Sequence, residues 1–178
     1  LMALVLLAQS VPTGSSLITD AVASLAQSPW RGYALAFLIL AFGLKIGLFP
    51  FHVWMPLTYS VAPIAAAAVL SGSAVKVGVI GFIRFLPFET AMPVWGDVLA
   101  IVGVFSAYYG VLVGITQSNP KTILAYSSVS HLGFCMLGLF ALNALGTEGG
   151  VLQMINHGLS TGGLFADTYR AWAAKTGG

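Results

Sequence analysis

The feature that most constrains this chain is a succession of apolar stretches that approach or reach the length of a membrane-spanning helix. Such a helix needs about 20 predominantly apolar residues. The sequence contains five of these stretches, at about 33–49, 61–86, 95–116, 123–142 and 150–166. Short, turn-rich connections separate them, so we expect each span to pack antiparallel to the next.

Charged side chains are too few to cover a water-exposed surface of this size. Of the 178 residues, 7% are charged and 58% are hydrophobic, whereas a soluble domain carries about 25% charged residues. The composition excludes a soluble globular enzyme, a disordered segment and a nucleic-acid-binding domain, which would need a clustered basic face. We therefore predict an all-α polytopic membrane protein with about five transmembrane helices.

The first 32 residues differ from the rest of the chain. Residues 1–8 are apolar but too few to cross a membrane, and they lack the basic region and cleavage site of a signal peptide. Residues 9–30 are polar and turn-prone. We interpret 1–32 as the end of a truncated helix plus a polar or interfacial segment, 33–170 as the transmembrane domain and 171–178 as a tail. We expect the chain to be a fragment of a longer protein.

Lys76 is the most informative ionisable residue within the predicted spans. A charge at mid-bilayer depth costs about 3 kcal/mol on insertion scales, so such residues usually face protein or water and have a role. Lys76 follows a break formed by Ser71, Gly72 and Ser73, and discontinuous helices commonly mark ion sites in transporters. We predict that Lys76 loads and releases a proton. The alternative is a lysine that reaches the interface or caps a broken helix.

Two histidines extend this polar pattern. Gln153, His157 and Thr161 recur at intervals of four residues, so they share one face of the fifth span. His131 follows Ser127 by four residues in the fourth span. Histidine titrates near physiological pH, which suits a proton relay; hydrogen bonds that hold the helices together are the alternative.

Other signals of site chemistry are weak or missing from the sequence. Lys45 lies near the end of the first span, where position alone favours a side chain that extends to the interface. The single cysteine, Cys135, excludes a disulfide framework and a cysteine-based metal cluster. The three histidines lie on different segments without a supporting carboxylate. We therefore expect no metal and no cofactor, and we predict the movement of an ion, H⁺, rather than catalysis on a substrate.

Three segments together resemble a known family. Residues 45–76 read KIGLFPFHVWMPLTYSVAPIAAAAVLSGSAVK, residues 117–138 read QSNPKTILAYSSVSHLGFCMLG, and residues 157–165 read HGLSTGGLF. This combination resembles the proton-conducting antiporter-like membrane subunits of respiratory complex I (L/M/N-type), Mrp-type Na⁺/H⁺ antiporters and membrane-bound [NiFe] hydrogenases. The M-type and hydrogenase-type branches are the most similar.

The resemblance implies a bundle of about fourteen helices with one broken helix in each of two inverted repeats. Lys76 matches the lysine of the first broken helix, and Lys45, His131 and His157 match positions along the proton relay of the family. The carboxylate partner of that lysine and the second broken helix fall outside this sequence. The resemblance gives supporting polar or structural roles to His52, Pro63, Ser71, Gly72, Ser127, Gln153 and Thr161.

The sequence departs from the family pattern at several positions. Leu57 replaces the usual aspartate after the W-M-P motif, and Thr161 occupies a position where many relatives carry lysine. The third span has Ser106, Tyr108 and Tyr109 at its centre instead of a basic residue. We therefore expect the third span to contribute less to a relay than the others.

The resemblance implies a proton-translocating membrane-arm subunit of a redox-driven pump, either NADH:quinone oxidoreductase or a membrane-bound hydrogenase. It would not be catalytic by itself. Its partners would be other membrane-arm subunits, peripheral Fe–S, flavin or [NiFe] hydrogenase subunits, the lipid bilayer and protons, with Na⁺ as a further possible ion and no nucleic acid. The implied location is the cytoplasmic (inner) membrane of a bacterium or archaeon, crossed several times. Two alternatives stay open, an Mrp-type Na⁺/H⁺ antiporter subunit and a structural helical bundle without conduction.

Overall fold

The computed structural model describes residues 1–11, 17–25, 27–86 and 93–176, and all regular structure in these ranges is helical. There are nine α-helices within them, with a 3₁₀ turn at Phe51–Val53 and a π-helical turn at Leu70–Ala74. The α-helices are α1 Met2–Ser10, α2 Ile18–Leu25, α3 Arg31–Ile46, α4 Trp54–Val61, α5 Ile64–Val69, α6 Val75–Phe85, α7 Pro93–Gly114, α8 Pro120–Phe140 and α9 Ala144–Thr176.

Four segments of the described residues are long and apolar enough to cross a membrane. They comprise Arg31–Val61, Ile64–Phe85, Trp95–Gly114 and Pro120–Phe140. Each contains most of one of the first four predicted spans, and the first extends beyond its predicted end at 49. The predicted fifth span lies within α9, which has 33 residues. Polar side chains along α9 lower its mean hydropathy, so it is not among these four segments. The expectation of an all-helical polytopic membrane protein is thereby confirmed, with four apolar spans instead of about five.

The aromatic segment that follows α3 differs from the prediction. Residues 51–60 lie between the first two predicted spans, where we expected a turn-rich connection, but the structure has the 3₁₀ turn followed directly by α4. Helix α3 ends because Gly47 adopts the left-handed conformation, with φ +77°, and its N–H donates to the carbonyl of Gly43. Trp54 Nε1 then donates to the Leu44 carbonyl at 2.9 Å, which ties the beginning of α4 to the end of α3.

The second span is interrupted where the sequence predicted. Helix α5 begins after Pro63 and ends at Val69, and the π-helical turn connects it to α6. Proline cannot continue the hydrogen-bond ladder of α4, and a π-helical turn widens the helix by one residue. The break therefore separates a short first half from the half that carries Lys76.

Helix α8 lies at the centre of the bundle and packs against α4, α7 and α9. Its contact with α7 is close enough that glycine is required: a Cβ built on Gly133 would lie 2.6 Å from Ala107 N and from the Gly103 carbonyl oxygen. Small residues at helix interfaces allow such close backbone approach in membranes. The predicted tail at 171–178 continues α9 as far as Thr176, and residues 177 and 178 lie outside the described ranges.

Candidate functional site

Lys76 lies in the first turn of α6, directly after the π-helical turn. Its side chain is buried, with 7% of its surface exposed. The ammonium group, Nζ, donates a hydrogen bond to the backbone carbonyl of Ser71, five residues earlier in the π-helical turn. The break in the second span therefore provides the acceptor that holds the buried lysine.

Ser71 is joined to the neighbouring helix α8 through its side chain. Its Oγ lies 3.2 Å from Ser128 Oγ, and both residues are fully buried. Ser128 Oγ also lies 3.0 Å from the carbonyl oxygen of Leu124. The π-helical turn, the lysine and α8 are therefore connected through one residue.

The two predicted relay histidines stack on each other. The ring centroids of His131 in α8 and His157 in α9 lie 5.1 Å apart, and the ring planes differ by 26°. Gln153 Nε2 lies 2.8 Å from His131 Nδ1. Because an amide nitrogen donates and does not accept, this contact places the hydrogen of neutral His131 on Nε2.

The tautomer of His157 follows from the single hydrogen of the Thr161 hydroxyl. Thr161 Oγ1 lies 2.7 Å from the carbonyl oxygen of His157, which can only accept, and 2.8 Å from His157 Nδ1. The hydroxyl donates to the carbonyl, so Nδ1 must donate to the hydroxyl. Nε2 of His157 is then a bare acceptor, buried and without a hydrogen-bond partner among the described residues.

These groups form one cluster around the lysine, which we call the Lys76 cluster: Ser71, Lys76, Ser128, His131, Gln153, His157 and Thr161. Lys76 lies close enough to both histidines to interact with them electrostatically. Gly158 lies against the lysine, since a Cβ built there would be 3.5 Å from Lys76 Cε. The described residues include no ion pair with Lys76. The cluster therefore combines a primary amine, two imidazoles and hydroxyl groups without a carboxylate.

Several predicted site residues lie outside this cluster. Lys45 is exposed, and its Cγ packs beside Gly78 on α6. Gly78 follows Lys76 by two residues, which corresponds to about 200° of rotation around the helix. Lys45 and Lys76 therefore lie on opposite sides of α6. Ser127 is half-buried beside the cluster, and Pro63 is exposed at the beginning of α5.

His52 forms a separate aromatic cluster at the 3₁₀ turn. Its ring is buried and stacks on Phe49 with centroids 5.7 Å apart, and it meets Tyr109 of α7 edge-on at 4.6 Å. Its Nδ1 has no hydrogen-bond partner within the described part of the chain. Ser106 of α7 accepts a hydrogen bond from the backbone N–H of Phe49 at 2.9 Å. In this structure the polar centre of α7 supports the 3₁₀ turn.

Two residues at the site were not predicted from the sequence. Ser128, adjacent to the predicted Ser127, is the serine that reaches the π-helical turn. Tyr59 of α4 is fully buried, and its hydroxyl lies near Ser71 outside hydrogen-bonding geometry. The serine pair at 127 and 128 signalled a polar contact, but only the rotation of α8 decides which serine makes it.

A metal site finds no support in the part of the chain that the structure describes. Within it, no three histidine, cysteine, aspartate or glutamate side chains come together as a potential set of metal ligands. His131 and His157 meet, whereas His52 belongs to the aromatic cluster. The arrangement of the Lys76 cluster instead suits the exchange of protons between nitrogen and oxygen atoms.

Comparison with known proteins identifies the family. Residues 2–173 match the family described as NADH:quinone oxidoreductase/Mrp antiporter, transmembrane. The chain belongs to this family. The match covers nearly the whole sequence and confirms the resemblance carried by the lysine, histidine and proline motifs. Members of the NADH:quinone oxidoreductase/Mrp antiporter family are integral membrane proteins.

Curated relatives in this family are subunits of quinone oxidoreductases. The chain is 43% identical over 136 residues to NAD(P)H-quinone oxidoreductase chain 4 2 of Thermosynechococcus vestitus, which covers 74% of this chain and 25% of the relative. It is 40% identical over 127 residues to NADH-ubiquinone oxidoreductase chain 4 of Chondrus crispus, covering 70% and 26%. The chain thus spans about a quarter of the length of these relatives.

Two solved structures share its fold. The Mrp complex from Dietzia sp. matches with a TM-score of 0.80 and 26% identity, over 92% of this chain and 18% of that one. Respiratory complex I from Thermus thermophilus matches with a TM-score of 0.80 and 32% identity, over 92% of this chain and 36% of that one. Both neighbours are large membrane assemblies, and the arrangement of helices in this chain is common to them.

Proposed function

We propose that this chain is the part of a membrane-arm subunit that translocates protons, with Lys76 as the proton carrier. The observation that carries the proposal is the position of its ammonium group, which is buried, bonded to the Ser71 carbonyl and within electrostatic range of two histidines that stack on each other. Buried ionisable residues within membrane segments are costly unless they act in transport or pair with a partner.

Charge repulsion within the Lys76 cluster supports the transfer of one proton at a time. Two unit charges at the 5.1 Å separation of the His131 and His157 rings repel by about 3 kcal/mol at an effective dielectric constant of about 20. That energy corresponds to about a hundredfold preference against charging both rings together. The cluster therefore holds one mobile positive charge more readily than two, and a proton that arrives displaces one already present.

The bare nitrogen of His157 gives the transfer a defined acceptor. A proton that leaves Lys76 binds His157 Nε2, directly or through one water, and the hydrogen on Nδ1 faces the Thr161 hydroxyl. His131 lies beside this path with its own Nδ1 held by Gln153. Lys45, on the opposite side of α6, would join the relay only through water or further groups.

The relatives support a proposal about the assembly in which the chain works. We propose that the intact protein works in a redox-driven complex of the NADH:quinone oxidoreductase or membrane-bound hydrogenase type. Other membrane-arm subunits and peripheral Fe–S, flavin or [NiFe] subunits would then be its partners, in the cytoplasmic membrane of a bacterium or archaeon. The chain 4 relatives, which are named as subunits of quinone oxidoreductases, support the first of these two types.

A second candidate function is Na⁺/H⁺ antiport without a redox partner. The specific observation in its favour is the Mrp complex, which matches the fold with the same TM-score as complex I. Purification of the full-length protein in mild detergent, followed by mass spectrometry of the native-gel band, separates the two. Fe–S or hydrogenase subunits in the band support the redox-driven pump, whereas small hydrophobic subunits alone support the antiporter.

The carrier role of Lys76 is tested in the full-length protein within its complex, reconstituted in vesicles with a pH-sensitive dye. We expect Lys76→Ala to abolish proton translocation. Lys76→Arg should assemble yet fail, because a guanidinium does not release its proton. Lys121→Arg is the matched control, since Lys121 donates to the Ala62 carbonyl outside the Lys76 cluster. Normal translocation by an assembled Lys76→Ala protein would refute the proposal and favour a purely structural bundle.

A further inference from the structure

We infer that Ser128 is a positioning residue for Lys76: through Ser71 it fixes the carbonyl on which the lysine ammonium docks. The inference rests on the proposed function, in which Lys76 carries the proton. Ser128 lies on α8 and Lys76 on α6, so the contact joins the carrier to the helix that bears His131.

The direction of the hydrogen bonds follows from the number of hydrogens available. Ser128 Oγ lies 3.0 Å from the Leu124 carbonyl, which can only accept, so the hydroxyl hydrogen of Ser128 goes there. The contact of 3.2 Å between the serine hydroxyls must then use the hydrogen of Ser71. The Ser71 hydroxyl therefore donates to Ser128, and the Ser71 carbonyl accepts from Lys76. One residue thus connects α8 to the lysine through two hydrogen bonds.

The π-helical turn explains why Ser71 needs external support. A regular α-helix fixes each carbonyl through a bond four residues ahead, whereas a π-helical turn shifts this pattern by one residue and loosens it. Gly72, which follows Ser71, adds backbone freedom to the turn. The hydrogen bond to Ser128 thus anchors the residue that presents its carbonyl to Lys76.

One face of α8 carries the groups that surround the lysine. Ser128, His131 and Cys135 are spaced by three and four residues and therefore lie on one side of the helix. His131 and Cys135 both lie close to Lys76. A movement of α8 relative to α6 would change the positions of the Ser71 carbonyl, which accepts from Lys76, and of the His131 imidazole together. Loss of the Ser128 hydroxyl should therefore alter where the ammonium resides, as well as the packing.

The test uses the full-length protein in its complex, with proton translocation measured across a range of pH. The variants are Ser128→Ala, Ser71→Ala and the double substitution. Each single change removes one oxygen atom. We expect each to lower translocation about two- to tenfold, as the loss of one buried hydrogen bond predicts, and to displace the pH profile. The double variant should equal the singles, because all three remove the same bond.

The matched control is Ser130→Ala. Ser130 is also buried on α8, but it faces α7, where its Cβ lies 2.9 Å from a Cβ built on Gly110. We expect Ser130→Ala to leave the pH profile unchanged, even if assembly falls slightly. A merely structural role of Ser128 would lower the amount of assembled complex without displacing the profile.

Either of two results would overturn the inference: an unchanged pH profile for assembled Ser128→Ala, or effects of the two single substitutions that add in the double variant. If Ser128→Ala does not assemble, Ser71→Ala and Ser128→Cys test the same bond by the same criteria. Failure of this inference is distinct from failure of the proposed function. A Lys76→Ala protein that still translocates protons refutes the function, whereas an inactive Lys76→Ala beside an unaffected Ser128→Ala refutes only the positioning role.

Discussion

Gly72 in the π-helical turn and Gly158 in α9 lie against each other, backbone to backbone. A Cβ built on Gly158 would be 3.1 Å from the Gly72 carbonyl oxygen and 3.5 Å from Lys76 Cε. The two glycines thereby allow α9 to approach the broken helix closely. Because His157 precedes Gly158, this approach also brings the imidazole beside the lysine.

The substitution Gly158→Ala should impair proton translocation. The new methyl group would press on the Gly72 carbonyl. Gly72 belongs to the π-helical turn whose Ser71 carbonyl accepts the hydrogen bond from Lys76. Overpacking of this kind costs about 1–3 kcal/mol, and we expect a comparable loss in the stability of the contact between α9 and the π-helical turn. Translocation per assembled complex, measured with a pH-sensitive dye, should fall severalfold.

Gly162→Ala is the control for that substitution. Gly162 lies one turn further along α9, and a Cβ built there meets nothing within 4 Å. Alanine is favoured over glycine in a helix by about 1 kcal/mol, so this variant should be as active as the unmodified protein and at least as stable. Equal activity of both variants would show that the close approach at Gly158 has no functional role.

Thr161→Val should weaken the relay, whereas Thr161→Ser should preserve it. Valine has nearly the shape of threonine but removes the hydroxyl that accepts from His157 Nδ1. His157 would then lose the contact that fixes its tautomer, and a buried N–H without a partner costs about 1–3 kcal/mol. We expect roughly tenfold slower translocation for the valine variant. If valine and serine variants behave alike in the same vesicle assay, the tautomer of His157 does not matter.

Much of the Lys76 cluster was predictable from residue spacing. Gln153, His157 and Thr161 repeat every four residues, and the helical period alone places them on one face. Small polar residues before Lys76 indicated the break, and the structure has the π-helical turn there. Both predictions depend on interactions within one helix, which the local sequence determines.

Contacts between helices were less predictable. Rotation of a helix by one residue is about 100°, so a sequence alone does not decide whether Ser127 or Ser128 faces the π-helical turn. The same uncertainty applied to Lys45, whose position near the end of α3 left open the side of α6 that it contacts. The segment at 51–60 was predicted as a turn-rich connection because it is rich in aromatic residues and flanked by Pro50 and Pro63. It instead forms a 3₁₀ turn and α4.

Gly133→Ala should destabilise the contact between α7 and α8. A Cβ at this position would lie 2.6 Å from two backbone atoms, Ala107 N and the Gly103 carbonyl oxygen, and backbone cannot move aside as a flexible side chain does. We expect a loss of about 1–3 kcal/mol, visible as a lower midpoint in thermal unfolding of the full-length protein in detergent. Gly149→Ala, where a Cβ meets nothing within 4 Å, should leave the midpoint unchanged or raise it; equal midpoints would contradict the close packing of these helices.

Lys45→Gln should impair translocation less than Lys76→Gln. Each substitution replaces a lysine with an uncharged side chain of similar length. Lys76 is buried in the cluster, whereas Lys45 is exposed on the opposite side of α6. A proton can pass between them only through intermediate groups, so the remaining cluster should still exchange protons when Lys45 is neutral. Initial rates in vesicles that contain equal amounts of assembled complex provide the comparison. Equally severe losses in the two variants would mean that Lys45 is an obligatory member of the relay.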